Sequence, residues 1–417
     1  MPQRFVKICL AVCLVQGMVM GSAFAAPRVE RHEGEPPIVY LEGGPYDLGY
    51  QHGRMLQQEV RAAVKQTLDY FRGALHVPLL GPFLVNRWLD WIYAKSAPFI
   101  ADAYKEEMRG LAEGSGVSLR EIRRVHAVPD ATGTSCSSLA VFKRATIDGR
   151  LYQTRNLDWN INAGIQRRAA IFVVHPAHGT PFINIGYVGF IGVLSGINAH
   201  GISVAQIGAA TADETFAGTP MPFMLRQVLQ ESPNLDLASW IVVHTQRTRG
   251  YNYVFADAIT RDAIALETTW RVCVLFRADD PKEHRVSYAV PIQDAVFRAD
   301  TAVDRGIRGV QRASRGKPGQ HPSPSPDGSA AYEQRYKGQA ARIREAYGRL
   351  DVLKVRQIAQ AVAPSSNVQS VVYAYPDVWV ANADGQTPAA RTEYRHYAVD
   401  ELLKPFTPSE TPATTDQ

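Results

Sequence analysis

The chain has 417 residues, 46% hydrophobic and 20% charged, which is enough apolar material for one large core or two domains and excludes a disordered polymer. Its 45 Lys and Arg against 40 Asp and Glu leave a net charge of +5, spread along the chain, so charge gives no footing for nucleic-acid binding and a solvated surface is the plain reading. Four cysteines, with no Cys-x-x-Cys and no His-x-x-x-His, fall short of a metal site, and no cofactor is expected.

Arg4 and Lys7 precede an apolar run from Ile8 to Met20, and Ala23-Phe24-Ala25 supplies small residues where a signal peptidase reads. Residues 1–25 are therefore expected to be a cleaved secretory signal of a periplasmic or secreted protein. The alternative, a membrane anchor, needs roughly 20 apolar residues, and the run is shorter. No later segment has the length and continuity of a span. Loss of the signal would leave Cys136 and Cys273, and in an oxidising compartment a lone pair is commonly a disulfide. That reading competes with any chemistry at Cys136.

Residues 26–135 read as a mainly helical segment. Gly43-Gly44-Pro45 is a turn into a helix whose Gly49 and Gly53 would let it pack closely against a neighbour. Helical periodicity continues from Met55 to Leu75, from Phe83 to Ile92 and from Phe99 to Leu111, and Ser118 with Glu121 has capping-box spacing. The periodicity then switches. Two apolar segments, Ser138 to Val141 and Leu151 to Gln153, flank Asp148-Gly149, the signal of a tight hairpin. Cys136 stands at the entry of the first strand and Arg155, Asn156 and Asp158 at the exit of the second, so antiparallel pairing brings them to one edge. A thiol beside a guanidinium and a carboxylate has the parts of an activated nucleophile.

These residues resemble the autoproteolytic N-terminal nucleophile hydrolases, and most closely the acyl-CoA:6-aminopenicillanate acyltransferase-like family, with bile-salt hydrolases, penicillin V acylase and acid ceramidase as more distant relatives. The resemblance implies an α+β fold, an αββα sandwich over residues 136–403. It also implies cleavage between Ser135 and Cys136, with Cys136 as nucleophile and its new α-amine as base. Arg155 would then lower the thiol pKa and Asp158 would hold the α-ammonium, and the cleaved N-terminal fragment would stay associated. An α-amine titrates near 8, close enough to neutrality to accept and return a proton. Relatives use asparagines for an oxyanion hole. Here the matching place after the Asn198-Ala-His-Gly201 turn holds Gly208, so Asn156, Asn198 and Gln206 are candidates, with Arg298 and Asp300 as pocket residues.

Strands are expected at Ala170 to Val174, Pro181 to Tyr187, Gly201 to Ile207, Tyr253 to Asp257, Ala263 to Glu267 and Arg271 to Phe276, with a helical pair at Pro222 to Leu229 and Leu237 to Thr245. A helix from Leu353 to Ala363 and strands at Val368 to Tyr375, Val378 to Ala381 and Tyr394 to Val399 close the core. Residues 312–330, rich in Pro, Gly and Ser, are expected to be a mobile loop and residues 404–417 a disordered tail. The function expected is hydrolysis or transfer at the linear amide of a small N-acyl substrate. Apolar stretches at Phe182 to Phe190 and Met221 to Met224 are candidates for an acyl pocket. The other reading is a periplasmic binding protein on the same fold with a Cys136–Cys273 disulfide.

Overall fold

The computed structural model describes residues 27–74, 80–133, 135–311 and 329–404. The expected signal, nearly all of the expected 312–330 loop and all but the first residue of the tail lie outside these.

The chain opens with β1 (Arg28–Glu30) and β2 (Ile38–Gly43), then α1 (Pro45–Met55), α2 (Gln57–Gly73), α3 (Leu80–Ser96), α4 (Asp102–Ser115) and α5 (Leu119–Ala131). The hairpin β3 (Ser135–Lys143) and β4 (Gly149–Asp158) follows, then β5 (Ala169–Pro176), β6 (Phe182–Tyr187), β7 (Ser195–Asn198), β8 (Ile202–Gly208), α6 (Met221–Glu231) and α7 (Leu235–His244). Next come β9 (Tyr251–Asp257), β10 (Asp262–Thr268), β11 (Cys273–Phe276), β12 (Ala295–Arg298), α8 (Arg305–Val310), α9 (Ser329–Glu345) and α10 (Val352–Val362). The chain closes with β13 (Asn367–Ala374), β14 (Asp377–Asn382), β15 (Arg395–Ala398) and α11 (Val399–Leu402).

Nine strands form one sheet in the order β1-β2-β5-β6-β7-β8-β9-β10-β11, and six form the other, β12-β3-β4-β13-β14-β15. The two sheets face each other across an apolar layer in which Cys136, Ala140, Phe142 and Leu157 of the smaller sheet meet Ile207, Val254, Ala256 and Ala265 of the larger. Helices α1 to α7 cover the outer face of the larger sheet, where Val60, Leu89, Met108 and Leu225 pack on Phe172, Val204 and Phe255. Helices α9 and α10 cover the smaller sheet through Tyr336, Ile343, Val355 and Ile358. Helix, sheet, sheet, helix is the expected αββα sandwich. The central strands β6, β7, β8, β9 and β13 are buried on both faces, which explains their long apolar runs, whereas the edge strands β1, β11 and β15 are only partly buried.

The N-terminal residues are more than a helical segment. β2 lies parallel to β5, with Ile38 opposite Ile171 and Leu41 opposite Val174, so this part of the chain supplies two strands to the larger sheet. The expected close approach of Gly49 and Gly53 is made against α4. A Cβ on Gly49 would lie 1.9 Å from the carbonyl oxygen of Glu107, and one on Gly110 would lie 2.1 Å from that of Tyr46. Ser118 caps α5 by accepting from the Glu121 amide and donating to its carboxylate.

The hairpin turn differs from expectation. Asp148-Gly149 is not a two-residue turn: the ladder ends at Lys143 opposite Gly149 after a bulge, leaving residues 144–148 as the connection. The cause is long-range. Thr146 bridges to Leu350 and the Ile147 amide donates to the Leu350 carbonyl, so a later segment draws this connection out of the tight form. Gly149, at φ 70°, makes the return into β4.

Candidate active site

Register carries the expectation about the hairpin. Cys136 pairs with Leu157 and Ser138 with Arg155, so the head of β3 and the end of β4 share one edge. Strand alternation then sorts the side chains. Cys136 and Arg155 turn inward between the sheets, whereas Ser135, Ser137, Asn156 and Asp158 turn outward toward α9 and α10.

On the inner side, Arg155 Nη2 lies 3.6 Å from Cys136 Sγ and 3.4 Å from Gln206 Oε1, and Sγ lies 3.9 Å from that same oxygen. Cys136 and Arg155 are fully buried. Arg155 has no carboxylate partner among the described residues, and its Nε and Nη1 are buried without hydrogen bonds. A buried guanidinium is costly unless something negative faces it; here that place is the sulfur. Burial pushes the Cys136 thiol up to about 11, with Arg155 pulling it down and Asp158 and Asp300 pushing it further up. In the uncleaved chain the thiol is thus protonated, with a cation poised to stabilise its thiolate.

On the outer side a second cluster grips the peptide before Cys136. The Cys136 backbone nitrogen donates to Asp300 Oδ1 at 2.8 Å and Ser135 Oγ donates to Asp300 Oδ2 at 2.7 Å. Arg335, on α9, donates from Nη1 to Ser135 Oγ at 3.2 Å and to Asp300 Oδ2 at 3.3 Å, and from Nη2 to Ser137 Oγ at 3.1 Å. The same Nη2 pairs with Asp158 Oδ2 at 2.5 Å, and Asn367 donates to Asp158 Oδ1 at 3.0 Å. Burial raises the Asp158 carboxyl against the pull of Arg335. Burial likewise pushes Asp300 up to about 7, opposed by Arg335 and the bond from Ser135, with Asp158 adding to the rise.

Asp158 therefore does not hold the Cys136 nitrogen; Asp300 does, and Asp158 neutralises Arg335. Asn156 is corrected too: facing α10, it donates to the Ala359 carbonyl and accepts from Ser370 Oγ, so it cannot also face the thiol. Asn198 closes the β7–β8 turn, donating to the Leu229 and Ser232 carbonyls and accepting from the amides of His200 and Ile202. Arg298 is locked between Glu267 and Glu283 at 2.6 Å each. Glu267 also accepts from the amides of Val303 and Asp304, which fixes the segment that carries Asp300. Of Asn156, Asn198, Gln206 and Arg298, only Gln206 is brought to the thiol, while Asp300 reaches the Cys136 backbone nitrogen. The disulfide of the alternative reading is not formed: both thiols are free, Cys273 packing on the helix side of the larger sheet and Cys136 between the sheets. Thr134, beside the expected cleavage point, lies outside the described residues.

An apolar cavity reaches the inter-sheet layer that holds Cys136, through Leu157 and Tyr187, although Cys136 itself is not among its lining residues. Leu157 and Tyr187, which share the inter-sheet layer with Cys136, form its inner wall, and Val64, Val128, Trp159 and Phe190 line it further out. It takes Tyr187 to Phe190 and Met221 from the expected acyl-pocket stretches, while Phe182, Ile183, Phe223 and Met224 are core. Among the described residues no group of three or more His, Cys, Asp or Glu is placed to hold a metal.

The fold and this site define an α+β architecture of the N-terminal nucleophile hydrolase type. The family model of acyl-coenzyme A:6-aminopenicillanic acid acyl-transferase matches residues 145–284, which bears out the resemblance. The matched residues include Arg155, Asp158 and Gln206, and Cys136 precedes them. Protein dcd1B of Dictyostelium discoideum is 26% identical over 262 residues, covering 58% of this chain and 52% of that protein. Protein dcd1A of the same organism is 26% identical over 287 residues, covering 62% and 65%. A protein of Archaeoglobus fulgidus is 23% identical over 296 residues, covering 62% and 49%. The chain thus spans between about half and two thirds of the length of these curated relatives. Among solved structures, a Caenorhabditis elegans ortholog of N-acylethanolamine-hydrolyzing acid amidase aligns at a TM-score of 0.42 and 14% identity, covering 57% of this chain and 92% of that one. A conjugated bile acid hydrolase from Clostridium perfringens aligns at 0.41 and 13%, covering 64% and 94%.

Proposed function

We propose that this chain is an exported, self-processing cysteine amidohydrolase that cleaves the linear amide of N-acyl compounds with an apolar acyl group. The observation that carries the reading is Arg155: a fully buried guanidinium with no carboxylate partner among the described residues, 3.6 Å from the Cys136 sulfur. In processing, Sγ attacks the Ser135 carbonyl carbon, the thiol proton passes to the departing Cys136 nitrogen, and a thioester forms as the peptide C–N bond breaks. Water then hydrolyses the thioester, leaving a Ser135 carboxylate and a free Cys136 amine. In turnover that amine takes the thiol proton, Sγ attacks the substrate amide carbon, and the amine returns the proton to the leaving nitrogen as the C–N bond breaks; water then hydrolyses the thioester, releasing the acid and restoring the thiol. Beside the sulfur, Arg155 Nη2 is the donor for a developing oxyanion, while Gln206 presents its Oε1, an acceptor that holds the guanidinium in place.

The apolar cavity supports the acyl preference, since its wall runs from Leu157 and Tyr187 outward. Export supports hydrolysis over transfer from acyl-CoA, a donor of the cytoplasm. The N-terminal fragment would stay in place after cleavage, because β1, β2 and α1 to α5 belong to the larger sheet and its covering layer.

The test is mass measurement of the termini of the purified protein, followed by a panel of N-acyl amino acids, N-acyl-homoserine lactones, N-acylethanolamines and penicillin V, with and without iodoacetamide. Two fragments are expected, the larger beginning at Cys136, with turnover abolished by alkylation and Cys136→Ala remaining whole. An intact, fully active chain would overturn self-processing, and no turnover by processed protein on any substrate would overturn the amidase reading.

A further inference from the structure

Helix α3 presents an apolar face to solvent as well as to the core. Val85, Leu89 and Ile92, at i, i+4 and i+7, form its inward stripe against its helical neighbours. The opposite face of such a helix is ordinarily polar. Instead Leu80, Phe83, Leu84, Trp88 and Trp91 lie there, each between 42 and 60% exposed, at i, i+3, i+4, i+8 and i+11. That spacing makes one stripe roughly 16 Å long. Phe216, from the connection between β8 and α6, sets edge-on against Trp91 at 5.3 Å and extends it. Single exposed apolar residues need no explanation, but a contiguous set of this size marks a surface that something covers.

The charges on α3 say what covers it. Its one acidic residue, Asp90, is taken by Arg120 and Arg124 at 2.6 and 2.7 Å. The exposed cations Arg87 and Lys95 have no ion pair among the described residues, and Lys95 Nζ stands 5.9 Å over the Trp91 ring. A face of Leu, Phe and Trp with Arg and Lys and without a carboxylate complements the headgroup boundary of an anionic bilayer. There the rings enter the acyl edge and the cations reach lipid phosphate. A second copy fits less well, because an isologous contact would bring Arg87 and Lys95 of both copies together against apolar surface. The helix has 17 residues, and no helix among the described residues is long and apolar enough to cross a membrane, so it would lie on the surface.

We infer that α3 is an interfacial anchor that docks this protein on an anionic lipid surface through Leu80, Phe83, Leu84, Trp88 and Trp91, with Arg87 and Lys95 at phosphate level. The inference does not depend on the amidase reading.

Flotation of the full chain with large unilamellar vesicles tests it, comparing pure phosphatidylcholine with a phosphatidylcholine–phosphatidylglycerol mixture. The chain should float with the mixed vesicles and be released by salt. Phe83→Gln/Trp88→Gln should lower the partition coefficient by about tenfold or more. Arg87→Glu/Lys95→Glu should abolish the preference for anionic vesicles. All four side chains are exposed, so the variants should unfold at the wild-type temperature; if the first pair does not, Leu80→Gln/Leu84→Gln replaces it. Failure of the wild type to float, or equal flotation of the apolar variant, would overturn the inference. So would a dimer seen by light scattering that the apolar variant breaks, in a chain that leaves vesicles alone.

Discussion

The backbone nitrogen of Cys136 donates to Asp300 Oδ1 at 2.8 Å, so the atom that cleavage would turn into an α-amine already rests on Asp300. Asp158, at the end of the partner strand, faces the same cluster but is bound to Arg335 and Asn367. The two carboxylates thus divide the work: one positions the nitrogen, the other holds the cation that grips Ser135 and Ser137.

That division predicts different losses. Asp300→Asn keeps the shape but removes the charge facing the amine, and a charge-assisted hydrogen bond contributes about 1.5–3 kcal/mol, so kcat should fall by about ten- to a hundredfold with KM little changed. Asp158→Asn should act more on stability and on processing, through Arg335. Kinetics of each variant in its processed form, set beside urea unfolding, check this; equal kinetic losses with equal stability would refute the division.

Arg335→Met removes the only cation paired with either buried carboxylate among the described residues. Breaking such a cluster from one side costs about 3–5 kcal/mol. Urea unfolding at pH 7 should show that loss, and the deficit should shrink toward pH 5 as the two carboxyls take up protons. Arg335→Lys, which keeps the charge but not the fork, should fall between.

A third expectation concerns pH. Burial raises Asp300 to about 7 from its ordinary 3.8, so the folded state holds a proton that the unfolded chain has given up. The stabilising contribution is complete below about pH 4 and is lost as pH rises to about 7, by on the order of 4 kcal/mol for a shift of this size. Asp300→Asn should flatten unfolding free energy over that window, and an unchanged slope in the variant would assign the dependence to other groups.

The part of the site that sequence reveals is local. Cys136 and Arg155 are two ends of one hairpin, and strand pairing alone brings them together. The same period-two rule, applied to single residues, would have removed Asn156, since a neighbour of Arg155 in a strand must face the other layer. Arg335 gave no such signal: it lies 200 positions beyond Ser135, on a helix that begins inside the stretch expected to be a loop. Its polar, weakly periodic sequence hides that it packs by Tyr336, Ala340 and Ile343. The opened hairpin turn has the same origin, because Leu350 competes for its backbone from far along the chain.

Arg155 offers the sharpest test of the chemistry. Cys136 and Cys273 are both pushed up to about 11 by burial, so in the intact chain at pH 7 neither should react quickly with iodoacetamide. Cleavage would remove the peptide gripped by Asp300 and Arg335 and leave an amine beside the thiol, raising the alkylation rate of Cys136 and not that of Cys273. The guanidinium stands 3.6 Å from that sulfur, and an opposite charge at such range moves a pKa by about one to three units. Arg155→Met should therefore slow Cys136 alkylation in the processed protein by about tenfold or more, with Cys273 as the internal reference. Peptide mapping of the labelled protein over time measures both sites in one sample. If Cys136 in Arg155→Met reacts as fast as in the wild type while Cys273 is unchanged, the guanidinium does not activate the thiol, and the mechanism built on it falls.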